Sequence, residues 1–265
     1  MNTLKLYLRS MKMLVRCQTE YPLSFLLNTL SQLIMLGGEM LAVVLLFDRF
    51  PSLGQWTGEN VLFFFGLIST SFYLVEFFCR GITNFSPLVR SGALDHMLLR
   101  PRGVMTQVCC AAMDPRRIGA LAVGAAALAA GARGSGVVWT VGKGVVLLES
   151  IACGSALVAG LFLIEAVCCL YAVRSPEAVN VLTYGGRSAC QYPIDIYPRL
   201  LRVLFVCVAP FALTTHAPAA YILEKPLLGL PGWAAYVVPL AGAAFLTLMY
   251  FVFRRALKDY RSTGS

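Results

Sequence analysis

Long apolar runs, separated by short polar clusters, organise this chain. A membrane-spanning helix needs about 20 mostly apolar residues. Six segments approach that length: residues 21–47, 60–79, 117–135, 145–173, 201–215 and 233–253. The third is short and rich in Ala and Gly; the fifth is short and extendable in either direction. Ahead of them, residues 1–18 alternate apolar positions such as Leu6, Leu8 and Met11 with Lys5, Arg9, Lys12 and Arg16. That pattern predicts an amphipathic helix lying in a membrane interface.

The link between the second and third runs, residues 86–113, is patterned as well. Ser86-Pro87 reads as a helix start, with Ser as N-cap and Pro in the first turn. Arg100-Pro101 reads as a stop, because the residue before proline avoids helical backbone. A second short helix toward Met113 precedes Asp114-Pro115. The stretch "HAPAAYILEKPLLGLPGW", from His216 onward, is apolar enough to re-enter a membrane as short helices. No internal repeat or low-complexity linker divides the chain. The expectation is one all-α integral membrane domain over residues 1–265.

Composition sharpens this reading. Hydrophobic residues make up 58% of the chain and charged ones 13%, against about a quarter charged in soluble domains. Too few charges remain to coat a soluble surface. The net charge of +9 could suggest nucleic acid, but the basic residues sit beside the apolar runs and no nucleic-acid motif appears. Eighteen of the 22 Lys and Arg lie in the N-terminal segment, the second-to-third and fourth-to-fifth links, and the C-terminal tail. By the positive-inside rule these segments and both termini are cytoplasmic. The count supports six spans, since losing one would swap the later links and collapse the bias. None of the nine cysteines lies in the three outer links, and none forms a C-x-x-C pair.

Motifs for bond chemistry are missing. "VGKG" at 141–144 lacks the framing glycine and the Ser/Thr of a phosphate-binding loop. The two histidines, His96 and His216, fall on opposite predicted sides, which disfavours a metal site or a histidine-based triad. This chain is therefore not expected to be an enzyme.

Four carboxylates fall within the apolar runs: Glu39, Glu76, Glu149 and Glu165. A charge at a bilayer centre costs about 2.5–3.5 kcal/mol on insertion scales. Glu39 and Glu165 sit deepest and are the better candidates for lining a polar path. Glu76 and Glu149 lie near helix ends, where they can snorkel. Glu149 and Glu165 are about 160° apart around a straight helix. No basic residue falls within the cores of the predicted spans, so a partner is expected to be backbone, a hydroxyl, another subunit or a cationic ligand. Pro210 predicts a bend in the fifth span. The 86–113 link is readable either as a helix resting on lipid or as a dock for a cytoplasmic partner.

Three stretches carry a family resemblance. "SGALDHMLLRP" followed by "DPRR" resembles the Gly-x-Leu-Asp-x-x-Leu-Leu-Arg-Pro run after the second helix in one branch of ABC-2 type exporter permeases. "QYPIDIYPRLLRVL" at 191–204 is similar to that branch's Tyr-Pro-x-x-Ile-Tyr-Pro signature. "VAPFALTTHAPAAYIL" at 208–223 is similar to its proline-containing fifth helix. His96 and the Gly/Ala-rich third run depart from the pattern. The resemblance implies a six-helix half-transporter in a bacterial plasma membrane. It implies a second permease subunit and separate ABC ATPase subunits, with ATP and Mg on those partners. It implies a coupling helix at Leu94, Asp95, Leu98, Arg100 and Pro101, and a path between the two subunits along helices 1, 2 and 5; from their positions in the runs, Glu39, Glu165 and Pro210 are the candidates to line a path. Alternatives from the residues alone are a proton-coupled secondary transporter using Glu39 or Glu165, and a non-transporting membrane scaffold.

Overall fold

The computed structural model describes residues 3–172, 177–227 and 231–260. Several expectations fall outside them: residues 1–2 of the interface helix, Val173 and Arg174, Leu228 to Leu230, and Arg261.

The architecture is all-α. It opens with α1 (Thr3–Thr19) and α2 (Pro22–Arg49), then a small hairpin of β1 (Ser52–Leu53) and β2 (Trp56–Thr57), then α3 (Gly58–Phe78). An insert of short helices follows: α4 (Arg80–Thr83), α5 (Phe85–Arg90), α6 (Ala93–Leu98) and α7 (Val104–Ala111). Next come α8 (Ile118–Gly134) and the long α9 (Val141–Ala172). Beyond them lie α10 (Glu177–Asn180), α11 (Gly186–Ala189), α12 (Arg199–Val203), α13 (Ala217–Ile222) and α14 (Ala241–Asp259). A π-helical turn, Val181–Gly185, joins α10 to α11.

α3 is the centre of the bundle. Phe63, Phe64, Phe65, Leu67, Ile68 and Phe72 are all buried, and 72% of its apolar window is inside the structure. α2 and α14 are peripheral, at 17% each. α2 buries Leu36, Val43 and Phe47 and turns its other leucines outward.

Four segments are long and apolar enough to cross a membrane: Pro22–Arg49, Gly58–Phe78, Val141–Tyr171 and Gly232–Asp259. The bent pair Arg199–Val208 and Ala212–Ile222 raises this to five if counted as one span. α8 has 17 residues, about 25 Å of helix, and falls short of the ~30 Å hydrocarbon core. Its small residues serve a different purpose. A Cβ on Gly66 of α3 would strike the backbone of Leu128, and one on Gly131 of α8 would strike the backbone of Phe63. Glycine at these positions lets the two helices touch main chain to main chain.

The fifth run differs from the sequence expectation. Residues 201–215 do not form one straight span. The chain breaks at Ala209–Phe211, and the two halves meet at 87°. Pro210 sits in that break and is buried; it supplies no N–H to continue the ladder.

The link that was expected to hold Arg187, Arg199 and Arg202 on one side also differs. Tyr184 contacts Glu76 in the last turn of α3. Asp195 accepts a hydrogen bond from Gln55, in the hairpin before the first turn of α3. Residues 184–195 therefore run the length of α3 in the opposite direction. Hydropathy missed this because the segment carries Thr183, Arg187 and Gln191 at four-residue spacing.

Candidate functional site

The insert Arg80–Asp114 leaves and rejoins the bundle at one buried ion cluster. Glu76, in the last turn of α3, has a side chain only 1% exposed. Its Oε1 accepts from Arg80, one turn later, at 2.9 Å, and its Oε2 lies 3.2 Å from Nε of Arg117. The Tyr184 hydroxyl donates to Oε1 at 3.3 Å. Asp114 pairs with Arg116 at 2.7 Å and lies 3.8 Å from both Arg80 and Arg117. Arg117 also donates to Gln32 of α2 at 2.6 Å and faces the Tyr73 ring. Buried carboxylates persist only with such compensation. The cluster ties α2, α3, the start of α8 and the Tyr184 segment together, and it closes the base of the insert. Glu76 was expected to snorkel; it is instead the hub.

The insert projects from this base. Its first helix does not run unbroken to Arg100 as expected. Gly92 adopts φ 68°, a left-handed backbone that glycine accepts readily, and splits the stretch into α5 and α6. Leu94 is fully buried, so it anchors the insert rather than facing a partner. Asp95 is half-buried beside the Tyr260 hydroxyl, whose pKa is raised by burial and by this carboxylate. Leu98, Arg100 and Pro101 are exposed, and Leu99 is 83% exposed. His96 is exposed too.

A second polar centre lies deeper. Glu39 of α2 pairs with Arg187 at 2.7 Å, and Gln191 donates to the same oxygen at 3.1 Å. Arg187 is buried, with its guanidinium 5.1 Å from the Tyr73 ring centroid and 5.6 Å from that of Phe72. The Glu39 side chain stays 43% exposed on the flank of the bundle. The partner of Glu39, expected to be backbone, a hydroxyl, another subunit or a cationic ligand, is instead Arg187, from outside the predicted spans. Its signal was the polar stripe of Thr183, Arg187 and Gln191. Glu165 of α9 is half-buried and within electrostatic reach of Tyr184 and Cys169. It shares a neighbour with Glu76, while Glu39 is paired separately.

At the opposite end of α3, the buried ring of His216 packs against both Trp56 and Phe64, which also touch each other. Its Nδ1 accepts from the Ile194 amide at 3.2 Å, and its Nε2 lies 3.6 Å from Asp195. Lys143, at the start of α9, binds Glu224, just past α13, at 2.7 Å. The Tyr221 and Tyr236 hydroxyls meet at 3.0 Å nearby. The hydrogen bond from Lys143, then its charge, holds the Glu224 carboxyl below the usual carboxylate range.

Among the described residues, no three His, Cys, Asp or Glu side chains gather as metal ligands. What the described residues show is buried ion pairing at the base of the insert and an exposed, basic tip. In comparison with known proteins, the profile of the ABC-2 family transporter proteins matches residues 33–264. None of the curated proteins and none of the solved structures compared matches the chain. The profile takes in α3, both ion clusters, the whole insert and the bent pair, and on that coverage the chain is a multi-pass membrane protein that belongs to the ABC-2 transporter family.

Proposed function

We propose that this chain is the permease subunit of an ATP-driven exporter in a bacterial plasma membrane. It forms a substrate path with a second permease subunit and is driven by separate ABC ATPase subunits, which bind the ATP and Mg. The observation that carries this reading is the insert: its base is locked by a buried ion cluster and its hydrogen bonds to α2, α3, the start of α8 and the Tyr184 segment, while its tip exposes Leu98, Leu99, Arg100 and Pro101. A rigid lever with an apolar, basic tip suits transmission of motion from a docked partner.

In this reading the insert and both termini are cytoplasmic, as the basic residues there favour. Residues 177–196 make the fifth crossing, and the bent pair dips into the outer leaflet without traversing it. With α8 included as a short span, the chain crosses six times. Glu39, backed by Arg187, faces the second subunit across the path. Docking of nucleotide-bound ATPase moves the tip; the Glu76 cluster passes the motion to α2, α3 and the Tyr184 segment, whose next turn carries Arg187.

Co-expression with candidate ABC ATPases tests the assignment. The wild-type chain retains an ATPase through purification, and Arg100→Glu loses it while the permease remains folded. Equal retention and equal ATP-dependent transport by the variant would count against the docking role.

A further inference from the structure

We infer that Gln107 is a positioning residue that braces the exposed tip of the insert into one shape for its partner. This rests on the docking role proposed above. Gln107 lies in the first two turns of α7 and is 7% exposed. Its side-chain amide donates twice, to the Met97 carbonyl at 2.9 Å and to the Arg102 carbonyl at 3.1 Å. Those two carbonyls bracket the exposed residues Leu98 to Pro101. Met97 lies in the last turn of α6, where carbonyls lack regular helical partners; its carbonyl accepts from the Arg100 amide at 3.3 Å as well as from Gln107. Arg102 follows Pro101, whose flanking residues close a tight turn from the Arg102 amide to the Arg100 carbonyl at 2.7 Å. One buried amide thus spans the tip and consumes both of its donors.

The brace has a reason to exist. The inner side of the tip stands over a cavity of about 500 Å³ lined by Ser10 of α1, Met97, Arg100, Arg102 and Cys110. Over that open space the tip is held by two backbone turns, Arg100 amide to Met97 carbonyl and Arg102 amide to Arg100 carbonyl, and the Gln107 amide is the side chain that ties the two turns together. Leu98 and Leu99 point outward from a segment rich in guanidinium groups. The surface that fits is a partner cleft with an apolar floor and carboxylates at its rim. A tip already in its bound shape loses less conformational freedom on docking.

Two variants keep the volume and remove the donors: Gln107→Glu and Gln107→Met. Limited trypsin digestion of the full chain in detergent reads the brace directly, through cleavage after Arg102. With two hydrogen bonds gone, local opening and cleavage there rise about tenfold, while the melting temperature of the chain stays near wild type. Capture of the ATPase that co-purifies with the wild-type chain falls in parallel. Leu99→Ala weakens capture in the wild-type background and adds less in the Gln107→Met background, because both act through the tip. A merely structural effect elsewhere gives additive losses. Unchanged cleavage in both variants overturns the brace. Faster cleavage with intact capture removes Gln107 from docking. If Arg100→Glu also leaves capture intact, the docking role itself fails, and the two failures are told apart.

Discussion

At the scale of single residues, the charges within the bundle are unequal partners. Arg187 is buried against two aromatic rings, whereas Glu39 keeps contact with its surroundings. Glu39→Gln strands a buried cation, and Arg187→Met leaves a carboxylate that can still solvate. Glu39→Gln is therefore the more damaging change, by about 1–3 kcal/mol after discounting for exposure. Arg187→Met added to it recovers part of the loss. Thermal unfolding of the single and double variants in detergent measures the difference. At the other end, the lowered Glu224 carboxyl contributes stability at neutral pH and loses it as pH falls through its depressed pKa. Wild type is expected to lose more thermal stability than Glu224→Gln between about pH 6 and pH 3. Sequence flagged Glu39 because a carboxylate in an apolar run is conspicuous. It missed Arg187 because the surrounding segment is too polar to score as a span, so its guanidinium looked like one more cytoplasmic charge.

Among elements, α8 shows how composition misleads. Its Ala and Gly content made it look like the weakest span, yet those small residues let it touch α3 main chain to main chain. Gly66→Ala and Gly131→Ala force the Leu128 and Phe63 backbones apart and cost about 1–3 kcal/mol each. Gly38→Ala in α2, where nothing lies within 4 Å of the added methyl, is neutral or stabilising by up to ~1 kcal/mol. Melting temperatures of these three variants decide the point, and equal losses at all three positions contradict the close-packing account. The insert was half legible. Pro87 marked its helical character and Arg100-Pro101 marked its tip, but Ser86, read as an N-cap, lies inside α5 and accepts from Arg90. The left-handed Gly92 was invisible as a break, because glycine in a short helix and glycine at a turn look alike in sequence. The burial of Leu94 was equally hidden, since which face of α6 meets the bundle depends on that turn.

For the whole molecule, hydropathy located the apolar helices but not the path of the chain between them. The 201–215 run is apolar enough to span but is not one straight helix, because the chain bends sharply at Pro210. The stretch beside α3 is polar and covers that helix end to end, because its polar side chains find partners there. A cysteine at the start of the bent pair distinguishes the routes. Cys17 is exposed on α1, and Arg199 is exposed at the head of the first arm. With residues 177–196 crossing, a membrane-impermeant maleimide added to intact cells or spheroplasts labels Arg199→Cys, in a Cys207→Ser background, and spares Cys17. Inverted vesicles show the reverse. A straight span at 201–215 would leave both positions cytoplasmic, labelled together and only in inverted vesicles.

The hub position of Glu76 bears on how the chain is made. α3 emerges from the ribosome carrying a carboxylate, and Arg80 follows at once. Arg117 and Tyr184 are synthesised only after the whole insert, and after it most of the remaining bundle. An α3 released alone into lipid would carry its carboxylate only partly neutralised, at a cost that insertion scales place at a few kcal/mol. Close docking of α8 on α3 brings Arg117 to that carboxylate at the same moment. The two helices are therefore expected to leave the insertion machinery as a pair, with the insert folded between them, rather than one after the other.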